Sequence, residues 1–289
     1  MRHFFSCRLW LYFFSIGLLA LPTAYGNEFQ SESSFAFIPN LWDPHIRREK
    51  PDLKDIRVVR ILTDNDYPPF TMQNIDGTPT GFSVELAREA CYLLTLTCDI
   101  QIRPFEILLD DLNTHKGDVV IAALEAHADL RDRYAVTLPY FRNPGHFMVR
   151  KGGFPLNYPS SDDLKGTQIV VVGGSAHEAF IKTFFPKAIS VPAQDFLAAA
   201  YALKNHQTSY VFADGVNIAL WVNGKNSEDC CVLAGHPYLE NRYFGEGFVF
   251  TMRENDDMLR RAFDYAFQQL YLSGKYTELY LRFFPVNPY

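Results

Sequence analysis

The residues best suited to hold a ligand stand where apolar, strand-like runs end. Thr63-Asp64-Asn65-Asp66-Tyr67 follows the run Val58 to Leu62, and Ala122-Ala123-Leu124-Glu125 closes the run that begins at Val119. Gly173-Gly174-Ser175-Ala176-His177 follows Ile169 to Val172, Asp214 follows Tyr210 to Ala213, and Phe105 comes just after Ile100 to Ile102. An acid in such a place accepts an ammonium, and a Gly-Gly-Ser turn offers backbone N–H groups and a hydroxyl to an anion such as a carboxylate. The same features have ordinary structural uses. Ser175 is a natural helix N-cap, and Asp214 before Gly215 either caps the next helix or binds. Tyr67-Pro68-Pro69-Phe70 is a stiff turn whose aromatic face either packs or meets a ligand. Glu125 with His127 or His177 has the chemistry of an acid and base pair.

Other chemistries lack their residues. The eight histidines show no His-x-x-x-His spacing, and no cysteine pair stands near one at zinc-ligand spacing, so no metal is expected. Neither a G-x-S-x-G nucleophile elbow nor a G-x-x-x-x-G-K-[ST] phosphate loop occurs, and no cofactor is expected.

Positioning those strand-end residues takes a repeated α/β order. Val58 to Leu62 reads as a strand, and a helix opens at Gly81-Phe82-Ser83 with Leu86, Ala90, Leu93 and Leu94 at spacings of three and four. Ile100 to Ile102 forms a second strand, Phe105 to Leu112 a second helix and Val119 to Leu124 a third strand. The order repeats with strands at Ile169 to Val172, Ile189 to Val191 and Tyr210 to Ala213, and helices at His177 to Phe185, Asp195 to Asn205 and Gly215 to Val222. Continuous apolar strands suit a parallel sheet covered on both faces. Two such units predict two α/β lobes, each with a mostly parallel sheet flanked by helices. Tyr140 to Asp163, rich in Pro, Gly and Ser, holds the first crossing between them. A strand at Gly245 to Met252 and helices at 257–272 and 276–284 return the chain to the first lobe, which makes a second crossing and a hinge.

The N-terminus reads as an export signal. Arg2 and Arg8 precede the apolar run Leu9 to Leu21, and Ala24-Tyr25-Gly26 supplies small residues for cleavage. The run is shorter than the roughly 20 residues of a membrane span. Cleavage after Gly26 removes Cys7 and leaves a soluble product that begins with an irregular, extended arm over residues 27–56. The 289 residues are 48% hydrophobic and 21% charged, which excludes a disordered chain. A net charge of −6 without a basic cluster argues against nucleic acid.

Several of these residues together carry a resemblance. Thr63-Asp64-x-x-Tyr67-x-Pro69-Phe70, Gly81-Phe82-x-Val84-Glu85-Leu86-Ala87, Asp118 to Ile121, Leu164-Lys165-Gly166, Ala213-Asp214, Tyr243-Phe244-Gly245 and Gly274-Lys275-Tyr276 fall in the order seen in family 3 periplasmic solute-binding proteins. Within that family the chain is similar to the histidine and lysine/arginine/ornithine binding proteins of ABC importers, over about residues 57–286. The resemblance implies a type II periplasmic-binding-protein-like fold, with lobe 1 at 57–141 plus 248–289 and lobe 2 at 142–247. It implies a monomer in the periplasm, not an enzyme, that closes on a polar or cationic amino acid or related small amine and delivers it to an inner-membrane ABC permease. Two other readings remain: a periplasmic cyclohexadienyl dehydratase-like enzyme, which the fold also hosts, and a ligand-sensing module for a separate receptor.

Carried onto this sequence, the family places Tyr67 against the ligand, Asp64 at its polar or cationic side chain and Phe105 in the pocket wall. Ser175 helps to hold the α-carboxylate, and Asp214 takes the α-ammonium. The departures are as informative. Ala122, Ala123 and Glu125 stand where the family shows hydroxyls, and gap-free matching puts Leu130 at the arginine that clamps the carboxylate, with Arg131 one place later. Arg131 is expected either to swing in or to pair with Asp129 or Asp132. Ala176 and His177 replace a hydroxyl and an amide, and Glu125 is repulsive to a carboxylate. The resembled histidine-binding group pairs cysteines as Cys91 with Cys98 here, while Cys230-Cys231 is open between a strained ring, a reduced pair and an intermolecular contact.

Overall fold

A computed structural model describes residues 38, 41–43, 45–153 and 159–289. The expected signal peptide over residues 1–26 and much of the arm lie outside the described residues. Two five-stranded sheets organise the rest. The first is built from β1 (Val58–Thr63), β4 (Thr97–Ile102), β5 (Val119–Glu125), β6 (Tyr134–Val136) and β12 (Phe248–Arg253), in the order β4-β1-β5-β12-β6. The second contains β7 (Gly145–Arg150), β8 (Gln168–Val172), β9 (Ile189–Ala193), β10 (Tyr210–Asp214) and β11 (Cys231–Tyr238), in the order β11-β7-β10-β8-β9. A small hairpin joins β2 (Met72–Gln73) to β3 (Pro79–Thr80).

Each sheet is parallel over three strands and antiparallel over two. β4, β1 and β5 run parallel, whereas β12 is antiparallel to both β5 and β6. In the second sheet β9, β8 and β10 are parallel, and β7 and β11 enter antiparallel. Strands β6, β7, β11 and β12, all paired antiparallel, flank the two crossings, and the second crossing carries the short helix Asn241–Phe244. The crossings run side by side. Tyr140 N–H donates to the Phe248 carbonyl (2.9 Å), and Phe248 N–H donates to the Phe141 carbonyl (2.7 Å).

Helices cover both faces of the first sheet. α1 (Phe82–Leu94), α8 (Asp257–Leu272) and α9 (Lys275–Phe283) pack on one side, and α2 (Leu108–Asn113) with α3 (Ala128–Arg131) on the other. β5 is buried over Val119 to Ala123 because both its faces are covered. Burying each of Val119, Val120 and Ile121 contributes about 1.5–3 kcal/mol of transfer free energy. Gly81 starts α1 at φ +120, where a Cβ would stand 2.3 Å from the Phe70 carbonyl oxygen, so the turn from β3 needs glycine. Trp42 inserts its ring edge-on to Tyr276 (5.0 Å), and Gln268 donates to the carbonyls of Asp43 and Ile46, which ties the described part of the arm to α8.

In the second sheet α4 (Ala176–Phe184) packs on one face, with α7 (Asn241–Phe244) beside it, while α5 (Phe196–Lys204) and α6 (Gly215–Asn223) pack on the other. Cys91 bonds Cys98, joining the end of α1 to the start of β4. Cys230 bonds Cys231 at the head of β11, which answers the question that the sequence left open. Among the described residues no helix is long and apolar enough to cross a membrane.

Candidate functional site

The carboxyl ends of β1, β5 and β10 open onto one cavity of about 460 Å³ beside the crossings. Parallel strands deliver their C-terminal loops to a common edge, which is where open α/β sheets bind ligands. Asp64 follows β1, Ala122, Ala123 and Glu125 end β5, and Asp214 ends β10. All of them line the cavity with Tyr67 and Phe105.

Aromatic rings form one wall. A tight turn, in which Phe70 N–H donates to the Tyr67 carbonyl (2.9 Å), stacks the Tyr67 ring on Phe70 (5.4 Å between centroids) and sets it edge-on to Phe248 (6.1 Å). Phe105 begins the short helical turn Phe105–Ile107 and stays 48% exposed. Ala123 lines the cavity and adopts φ +50, a conformation unfavourable for any branched side chain.

Acids supply the polar lining. Asp64 is 3% exposed, and its Oδ1 has no hydrogen-bond partner. Burial pushes its carboxyl up to about 6, with the neighbouring Asp66 carboxylate adding to the rise. Burial likewise raises Glu125, and Asp214 raises it further. Asp214 accepts from Asn143 Nδ2 (3.0 Å) and Asn217 Nδ2 (3.2 Å), and His177 Nε2 lies 3.6 Å from its Oδ1. Burial raises the Asp214 carboxyl and lowers the His177 imidazole, while each opposes the other's shift. The Tyr67 hydroxyl is pushed up by burial and then by Asp214, Glu125 and Asp64, which places it within the field of all three acids.

Three candidates from the sequence are not in the lining. His177 reaches the cavity only through Asp214. Ser175 is the N-cap of α4: its hydroxyl donates to the Val172 carbonyl (2.7 Å) and accepts from Glu178 N–H (3.2 Å), while Gly174 N–H donates to Glu178 Oε2 (2.7 Å). Arg131 ends α3 and donates to Glu246 Oε2 at 2.5 Å, so its partner is neither Asp129 nor Asp132. Conversely, Asp66, Glu106, Asn143 and Phe248 line the cavity without having been singled out as candidates. Asn143 carried no local signal, because its partner stands 71 positions away. Glu178 did carry one, since Ser175-x-x-Glu178 has capping-box spacing.

A larger cavity of about 550 Å³, lined by Phe180, Phe184, His236 and Tyr238 among others, has no comparable convergence of acids. Among the described residues no three His, Cys, Asp or Glu side chains are placed to hold a metal ion.

Comparison with known proteins gives a consistent result. The model of the bacterial extracellular solute-binding proteins, family 3, matches residues 59–286. The putative ABC transporter arginine-binding protein 2 of Escherichia coli K12 is 26% identical over 78% of this chain and 90% of its own length. The lysine/arginine/ornithine-binding periplasmic protein of the same strain is 28% identical over 80% of this chain and 89% of its own. Among solved structures, the L-cystine solute receptor of Neisseria gonorrhoeae in its unliganded open conformation superposes with a TM-score of 0.71, at 18% identity, over 81% of this chain and 95% of that one. Substrate-binding domain 2 of Lactococcus lactis GlnP, also open, gives 0.70 at 16% identity, over 82% and 99%. These two share the fold, a type II periplasmic binding protein of two lobes.

Proposed function

Because the chain belongs to the bacterial extracellular solute-binding proteins, family 3, we propose that it captures a cationic or polar amino acid, or a related small amine, between its lobes and delivers it to an ABC permease. The observation that carries this reading is the acid-lined cavity at the strand ends, walled by Tyr67 and Phe105. The relatives named for arginine and for lysine, arginine and ornithine point to the same charge. In this reading Asp214, pre-oriented by two amides and His177, accepts an ammonium, and Asp64 and Glu125 meet a cationic end. Tyr67 stacks on the ligand, and Phe105 and Ala123 shape the cavity. A charge-assisted bond to each acid contributes about 1.5–3 kcal/mol and strengthens as closure excludes water.

Closure occurs about the paired crossings, with residues 57–141 and 248–289 moving against 142–247. The protein works as a monomer in the periplasm, exported through residues 1–26, and the Cys91–Cys98 bond suits that oxidising compartment. We assign it no reaction. His127 Nδ1 accepts from Leu130 N–H (3.2 Å) as the cap of α3, and His177 Nε2 lies 3.6 Å from Asp214 Oδ1. A thermal-shift screen of the purified protein against amino acids and amines tests the proposal. Ligand at about 100 times its dissociation constant stabilises by about 2.7 kcal/mol. A screen in which neither class shifts the melting point overturns it, as does an Asp214→Ala variant that binds as tightly as the parent.

A further inference from the structure

Every ionisable side chain in the cavity wall other than Tyr67 is an acid: Asp64, Asp66, Glu106, Glu125 and Asp214. No Lys, Arg or His stands among the described lining residues. Asp64 lines this cavity while only 3% exposed, and its Oδ1 has no hydrogen-bond partner. An anion buried without a donor is costly, and a cationic ligand group removes that cost. The acids belong to four separate strand ends, and no three of them are placed to hold a single metal ion. Their charge is spread along the cavity, which suits an organic cation with more than one charged end.

The groups that would receive a carboxylate are already engaged. At the 173–175 turn, the Gly174 N–H donates to Glu178 Oε2 (2.7 Å) and the Ser175 hydroxyl donates to the Val172 carbonyl (2.7 Å), so neither donor is left for an anion. The Arg131 guanidinium is paired with Glu246 at 2.5 Å, and Leu130 before it is buried. A ligand carboxylate in this cavity would lose its water, gain no cation and face carboxylates on several sides.

Taking the cavity to be the solute site, as the proposed function does, we infer that its ligand is an amine with two cationic ends and no free carboxylate, of the diamine or guanidino-amine class. One end meets Asp64 and Asp66, and the other meets Asp214 and Glu125. The connecting carbons lie along Tyr67 and Phe105, whose faces also attract a guanidinium or ammonium.

Matched pairs that differ only by the carboxylate test this. Calorimetry on the purified protein compares arginine with agmatine, ornithine with 1,4-diaminobutane and lysine with 1,5-diaminopentane, with 1-butylamine as a cation of one end. In at least one pair the amine is expected to bind tenfold or more tightly than its amino acid, about 1.4 kcal/mol. The diamine is likewise expected to exceed 1-butylamine at least tenfold. Amino acids that bind as tightly as their amines overturn the inference and leave solute binding intact. Equal affinity for 1-butylamine and 1,4-diaminobutane overturns the two-ended arrangement. Absence of binding throughout overturns both this inference and the proposed function. In the variant Asp64→Asn, amine affinity falls at least tenfold while 1-butylamine, held at Asp214, changes less; an unchanged diamine affinity removes Asp64 from the site.

Discussion

Replacing Asp64 with asparagine separates what this acid costs the empty protein from what it gives the ligand. Burial raises its carboxyl from 3.8 to about 6. At about 1.36 kcal/mol per pH unit, the ionised group is about 3 kcal/mol less favourable in the ligand-free fold than in the unfolded chain. A carboxyl raised on folding contributes stability that is fully present below pH 3.8 and lost as the pH climbs through about 6. Asparagine keeps the shape and does not titrate. The variant is therefore expected to gain on the parent between pH 5 and pH 8, reaching about 2–3 kcal/mol, or roughly 4–12 °C in Tm. Differential scanning fluorimetry without ligand at pH 5, 6.5 and 8 reads this directly. Binding moves the other way: loss of one charged hydrogen bond, about 1.5–3 kcal/mol, weakens affinity for a cation roughly 10- to 150-fold. Affinity of the parent for the same cation also falls about tenfold from pH 7 to pH 5, because protons compete for Asp64, and the variant's affinity falls less. A variant less stable than the parent at pH 8, or a gap that fails to widen with pH, refutes the reasoning.

Two further predictions are read first as changes in stability. Gly245 adopts φ 68 and ψ 176, a region essentially reserved for glycine, and a Cβ there would stand 2.7 Å from the Glu125 carboxylate. Gly245→Ala is expected to cost about 1–3 kcal/mol in a urea titration and to alter cation affinity by displacing Glu125; an unchanged midpoint contradicts this. Cys91 and Cys98 close a short loop with a separation of 7. Serine at both positions is expected to cost about 2.5 kcal/mol by loss of loop closure, and a loss well under 1 kcal/mol shows that the reduced loop is already held by packing.

How much of this the sequence discloses depends on the range over which each feature is decided. β1, β5, β8 and β10 are legible because a strand covered on both faces is a continuous apolar run whatever its neighbours do. β7 and β11 are not. The first lies in a stretch rich in Pro and Gly, and the second is interrupted by Gly235 and Pro237, where its register shifts; both become strands only by pairing with each other and with β10. The same division runs through the site. Asp64, Glu125 and Asp214 can be found from sequence because the end of a strand is a local event. The partners that decide what those acids do are remote: Asn143 reaches Asp214 over 71 positions, and Arg131 is drawn to Glu246 over 115. A sequence therefore shows which acceptors a cavity holds before it shows which donors have been committed elsewhere. Here the fold leaves Asp64 Oδ1 without a donor and pairs Arg131 and the Gly174 N–H with glutamates. The missing positive charge is then a property that the ligand must bring.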